Sequence, residues 1–303
     1  QKLILTNGVD PPIKWTGSGN VTALDVDSRF TTADHVGYWD NRVWLGNTNA
    51  NSDRLWYSDA GDPETWGSTA FYNFGAPITA IVPMQNALSV HTEDAIYTLI
   101  PTGNATIPYQ RQQRTSSDPR NPQRGGTISG RAVVVLPGNI QVFPLEDGIY
   151  MWSGGDTIDK VSYALDEGYW DSLVASRLAE SFAIYYATED EIWFYLAYGT
   201  GQTKFNHVMI LSTKHLYQDA STGETRMAWY GPYENGSSFE RNTAAIIDNK
   251  PHAGDYDGIV FDHAPANTYN DAGAAYGSYF ETSAIAPFGA DVDLRWLYAK
   301  TYF

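Results

Sequence analysis

Residues 38–66, YWDNRVWLGNTNANSDRLWYSDAGDPETW, decide the fold. Two short runs, 42–46 and 54–58, carry Val43, Trp44, Trp56 and Tyr57, β-branched and aromatic types that suit a pleated, half-buried surface. An Asn-rich turn joins them. The end of the stretch, SDAGDPETW at 58–66, reads as a loop: Asp side chains there can bond nearby backbone amides in place of a ladder, and Pro63 has no amide proton. The unit is a hairpin, an acidic loop and an aromatic anchor.

Looser copies recur along the chain. An acidic or Asn-containing turn leading into a branched aliphatic appears as DNRVW, EDAIY, EDGIY, EDEIW and YDGIVF. The aliphatics are Val43, Ile96, Ile149, Ile192 and Ile259, and the differences between those numbers are 53, 53, 43 and 67. Repeats of about 40 to 50 residues, each giving about four strands, mark β-propeller blades. The expected fold is therefore all-β: a degenerate propeller of five to seven blades, six preferred, in one domain over 1–303. Both ends read as cut from a strand, so the chain is expected to belong to a longer protein.

Composition narrows the function. A net charge of −16 and a pI near 4.6 argue against general nucleic-acid affinity, which needs clustered Lys and Arg to displace counterions. They leave room for DNA that passes without sticking. The absence of cysteine excludes a disulfide scaffold and a thiolate zinc site. The sequons at Asn20, Asn104 and Asn235 read as chance. No leader segment is expected at the N-terminus, and no apolar run approaches the roughly 20 residues of a membrane span.

Along the chain, strands are expected at 2–6, 13–15, 78–82, 87–92, 95–100, 132–136, 140–144, 149–152, 183–188, 191–198, 207–212, 226–230, 243–247, 258–262, 277–285 and 294–303. Spacings this short leave no room for βαβ crossovers. One short helix is expected around 170–182, where Leu173, Val174, Leu178 and Phe182 follow 3.6 spacing behind Asp171. Residues 109–131 break the pattern. Arg111, Arg114, Arg120, Arg124 and Arg131 gather there with one acid, Asp118. They read as a solvated loop or, more sharply, as a subunit-contact loop in which Arg111, Arg114, Arg120 and Arg124 meet acidic groups of a neighbouring subunit through guanidinium–carboxylate pairs.

Several phrases, in order, resemble the propeller portions of tail proteins of short-tailed bacteriophages, the tail nozzle or tubular protein and the related hub. They are ILTNGVDPPIKW, NRVWLGN with LWYSDAGDPETW, GTISGRAVVVLPGNIQVFPLEDGIYMWS, AIYYATEDEIWFYLA, MAWYGPY, HAGDYDGIVFDH and YFETSAIAPFG. The resemblance implies a structural virion protein, assembled in the host cytoplasm. It implies a homo-oligomeric ring, a hexamer first, around the DNA channel. The implied partners are portal or adaptor and tail-fibre proteins, with genomic DNA passing through without specific binding. No catalytic residue, cofactor or metal comes with it.

The residues themselves carry no complete catalytic pattern. SDAGDPETW falls short of the sialidase-type Asp-box, because Asp59 directly follows Ser58 and Thr65 lies too far from Gly61. The six histidines are scattered and form no metal-binding motif. Asp255-Tyr256-Asp257-Gly258 has Ala266 where a calcium loop needs its twelfth-position Glu, so it reads as a tight turn. A carbohydrate-active or carbohydrate-binding propeller stays as the alternative, and it requires acids and arginines gathered in one pocket.

Overall fold

Asp40 and Asn41 have φ of 49° and 58°, and they close a two-residue turn between the paired residues Trp39 and Arg42. Asp248 and Asn249, at 51° and 59°, do the same between Ile247 and Lys250. Asp and Asn tolerate the left-handed region, and a turn with two such residues matches the twist of the strands it joins. Two of the hairpins are closed this way. The structure, a computed structural model, describes residues 2–26, 28–115, 125–163, 165, 167–218, 225–233 and 239–263. Arg120, Arg124, Asn235 and the expected strands 277–285 and 294–303 lie outside the described residues.

Six antiparallel sheets succeed one another along the chain. Sheet one holds β1 (Leu3–Leu5), β2 (Ile13–Trp15) and β3 (Thr22–Ala23). Sheet two holds β4 (Ala33–Trp39), β5 (Arg42–Thr48), β6 (Arg54–Tyr57) and β7 (Phe71–Asn73). Sheet three holds β8 (Ile78–Pro83), β9 (Leu88–Thr92), β10 (Ile96–Pro101) and β11 (Tyr109–Gln113). Sheet four holds β12 (Val134–Leu136), β13 (Ile140–Leu145), β14 (Gly148–Trp152) and β15 (Asp159–Lys160). Sheet five holds β16 (Phe182–Tyr186), β17 (Glu191–Leu196), β18 (His207–Gln218) and β19 (Thr225–Tyr233). Sheet six holds β20 (Thr243–Ile247), β21 (Lys250–Gly254) and β22 (Val260–Asp262). Together they make a six-bladed β-propeller, as the sequence leads one to expect.

First strands pack on first strands: β4 on β8, β12 on β16 and β16 on β20. They therefore form the inner ring, and the fourth strands lie outside. The approach is close. A Cβ on Gly37 of β4 would sit 2.7 Å from Ile81 Cγ2 of β8, so glycine is what lets these strands meet. Apolar seams then fill the gaps between neighbouring sheets. Leu24, Phe30, Val43 and Trp66 fill the side of sheet two nearest sheet one, and Trp44, Leu55, Ile78 and Val90 fill the seam between sheets two and three.

The single helix expected at 170–182 is two short ones, α1 (Glu167–Asp171) and α2 (Ala175–Leu178). Leu173 and Leu178 are buried, as the spacing predicts, but the chain between the helices turns aside to a sheet. Leu173 bridges Tyr198, and the Val174 amide donates to the Ala197 carbonyl at 2.9 Å. A sheet hydrogen bond satisfies Val174 there in extended backbone, φ −77° and ψ 101°, and Phe182 already belongs to β16.

Candidate functional site

The basic segment is expected to be a loop, and the structure corrects this. Its first part, Tyr109–Gln113, is β11, the outer strand of sheet three, with Arg111 opposite Leu99. An outer strand needs few apolar contacts; Tyr109 supplies one, and Gln110, Arg111 and Gln113 face solvent, so the composition mimics a loop. The Arg111 guanidinium lies 5.6 Å from the Phe74 ring centroid and 5.7 Å from that of Tyr97. Arg114 Nε donates to Thr98 Oγ1 at 3.0 Å. The chain is tied again at Gly125, whose amide donates to the Asp94 carbonyl at 3.0 Å.

Arg131, read with the same basic group, does something else. Its Nη2 donates to the Asn242 carbonyl at 3.0 Å, and its guanidinium lies 5.1 Å from the Phe182 ring centroid. Burial pulls its pKa down, against the opposing pull of Tyr256 and Glu180. Arg131 precedes sheet four, Phe182 opens sheet five and Asn242 precedes sheet six, so this contact spans three blades near the axis.

A matching contact lies on the other side. A Cβ on Gly130 would meet the Thr79 carbonyl at 2.5 Å and the His35 ring at 3.2 Å, which brings sheets two, three and four together. Burial lowers the His35 pKa, against Asp34 and a backbone hydrogen bond at Ile78. Both contacts join residues of three sheets around the segment that leads into β12. Sequence reasoning misses this pair of contacts. Gly130, a glycine leading into an apolar strand, is the available signal.

Acidic residues on the turns are bound to their own backbone. Asp255 Oδ1 accepts from the amides of Asp257 and Ile259, which confirms the tight turn read there. Asp62 accepts from the Glu64 amide and from Thr65 Oγ1. A cleft of about 480 Å3 lies between sheets three, four and five, with Glu93 and Glu146 at its rim and Ile128, Leu178 and Ala175 along its wall. Among the described residues that line it there is no arginine.

Among the described residues, no three His, Asp or Glu side chains converge as metal ligands. His91 is wholly buried, and its Nδ1 accepts from the Thr127 amide at 3.2 Å. Its Nε2 therefore carries the proton and donates to Gln141 Oε1 at 2.6 Å. Burial takes its pKa down to about 4, opposed by the bond to Gln141. The geometry is that of a structural histidine. No helix among the described residues is long and apolar enough to cross a membrane.

No protein-family model matches the sequence, and no curated protein does. Solved structures do. The extracellular domain of BT4673 from B. thetaiotaomicron superposes with a TM-score of 0.54 at 11% identity, over 88% of this chain and 30% of that one. A second structure of that domain gives the same TM-score and identity, over 88% and 32%. BamB from Moraxella catarrhalis gives 0.39 at 12% identity, over 84% and 81%. The chain spans about a third of the length of the two BT4673 structures. At these identities the likeness concerns the propeller fold alone.

Proposed function

We propose that this chain is a structural, non-catalytic propeller of a short-tailed bacteriophage tail, part of a nozzle or hub. In this reading copies form a homo-oligomeric ring around the DNA channel, contribute to DNA retention and passage, and carry contacts for portal or adaptor and fibre proteins. The observation that carries the reading is where the resembling phrases fall. ILTNGVDPPIKW spans the β1–β2 hairpin, AIYYATEDEIWFYLA spans β16 and β17, and HAGDYDGIVFDH spans β21 and β22, so these resembling phrases coincide with hairpins of sheets one, five and six in chain order. In this reading DNA would pass a chain of net charge −16 that gives phosphate little to hold.

Arg111, Arg114, Arg120 and Arg124 are the subunit contact in this reading. The test is the assembly state by native mass spectrometry and electron microscopy, for the wild type and for Arg111→Ser/Arg114→Ser/Arg124→Ser. The wild type should form rings. The variant should lose them while stability falls only by about 1 kcal/mol, mostly from the Arg114–Thr98 hydrogen bond. Duplex DNA at about 150 mM salt should give no gel shift. A wild type that stays monomeric at all concentrations would sink the ring, and micromolar DNA affinity that falls steeply with salt would sink the passive wall.

A further inference from the structure

The cleft of about 480 Å3 between sheets three, four and five has no part in the ring reading. The geometry points to a binding site there for an aliphatic diamine, a molecule with an ammonium group at each end of an apolar stem.

The lining sorts by chemistry and by element. Glu93 stands on the β9–β10 turn of sheet three and Glu146 on the β13–β14 turn of sheet four, so the two carboxylates come from different blades. Backbone bonds fasten both turns: the Glu93 amide donates to the Pro77 carbonyl at 3.0 Å, and the Glu146 carbonyl accepts from Trp170 Nε1. The wall is apolar, made by Ile128 ahead of β12 and by Ala175 and Leu178 of α2. Among the described residues that line the cleft there is no Lys or Arg. A third polar group is left over. Thr79 Oγ1 of β8 is shielded from solvent and has no hydrogen-bond partner. Thr127, which also lines the cleft, differs: its hydroxyl lies 3.0 Å from the Ser129 carbonyl and 3.2 Å from that of Pro144. A shielded hydroxyl with no partner costs free energy that a ligand N–H would offset.

This lining selects the ligand. The apolar wall favours a methylene stem, the carboxylates favour ammonium groups, and the Thr79 oxygen accepts a further N–H. A carboxylate can accept about four hydrogen bonds, so bonds that either Glu already makes leave room for a ligand. An anion is repelled by both carboxylates. A compact metal ion fits poorly, because it needs several oxygens converging on one point, and no three His, Asp or Glu side chains among the described residues do so. The volume lies within the range of about 300–1,000 Å3 usual for small-molecule sites.

The site does not rest on the tail reading. Putrescine titrated into the full chain at about 150 mM salt should bind saturably in calorimetry and shift the methyl resonances of Ile128 and Leu178. Glu93→Gln and Glu146→Gln should each weaken binding roughly tenfold, because a hydrogen bond between charged groups is lost, and Thr79→Val should weaken it about threefold. Butylamine, with the same stem and a single ammonium group, should bind roughly tenfold more weakly than putrescine. Glu189→Gln changes an exposed acid on the β16–β17 turn, at the other end of the strands, and should bind as the wild type does. No saturation by about 1 mM putrescine would overturn the assignment. Affinity unchanged by the Glu93, Glu146 or Thr79 substitutions, or butylamine that binds as tightly as putrescine, would overturn it as well. Equal weakening by Glu189→Gln, or displacement by magnesium at the same concentration, would show instead that an acidic chain gathers cations diffusely.

Discussion

The seam between sheets two and three and the seam between sheets three and four occupy equivalent positions but are filled by opposite means. The first is aromatic. Trp44 is fully buried, with the Tyr109 ring centroid 5.1 Å away and that of Tyr57 5.2 Å away, and polar tips are satisfied at the margins. Trp44 Nε1 donates to the Trp39 carbonyl at 3.0 Å, and Tyr109 Oη donates to Asp40 Oδ2 at 2.6 Å. The second seam sets His91, Gln141 and Thr127 beside Phe143, Ile96 and Leu145, with the hydrogen bonds of those three polar side chains made deep inside. Volume complementarity and matched hydrogen bonds are thus interchangeable ways to join blades. The second holds a wholly buried histidine, His91, and so should respond to pH more strongly.

The contrast can be broken most directly at Trp44. Trp44→Ala should cost about 3–5 kcal/mol, since rigid neighbours would leave a cavity, and urea denaturation at pH 7 measures it. A loss under 1 kcal/mol would mean that the aromatic seam collapses freely. The next effect belongs to His91. Its folded-state pKa of about 4 lies below the ordinary 6.5, so protons favour the unfolded chain. The contribution is present in full above pH 6.5, falls as pH drops, and is lost below 4; it amounts to roughly 3 kcal/mol. Comparing wild type with His91→Phe between pH 7 and 4 isolates it, and equal pH slopes would remove the distinction between the seams. The smallest effect is at the aromatic margin. Tyr109→Phe removes the bond to Asp40 and should cost about 1 kcal/mol. Burial first, then Asp40, raises the Tyr109 pKa, so the phenol stays protonated and this cost should not change between pH 7 and 9.

Much of this architecture is legible in the residues. β2 and β20 match the expected strands residue for residue, and most of the other expected strands within the described residues differ only at their ends. Where the sequence misleads, a neighbour in space is responsible. Ala33–Trp39 does not read as a strand because Asp34 and Gly37 interrupt its pattern, yet Gly37 is there to admit Ile81. Arg111 reads as loop because an outer strand can be almost wholly polar. Lys250–Gly254 escapes notice because Pro251 and Gly254 look like turn residues, although Ala253 between them is fully buried.

Sequence alone determined that the chain is a row of antiparallel hairpins adding up to a propeller, because β-propensity, alternation and turn chemistry act between near neighbours in the chain. Tertiary structure decided which hairpin each repeated phrase belongs to. Val43 and Ile192 lie in second strands, Ile96 and Ile149 lie in third strands, and Ile259 leads into one, which is why their spacing is uneven. It also decided that Gly130 meets His35 and Thr79, that Arg131 reaches Phe182 and Asn242, and that one seam is aromatic and the next polar. Those outcomes depend on which faces meet across a gap, and residues far apart in the chain settle that only by packing together.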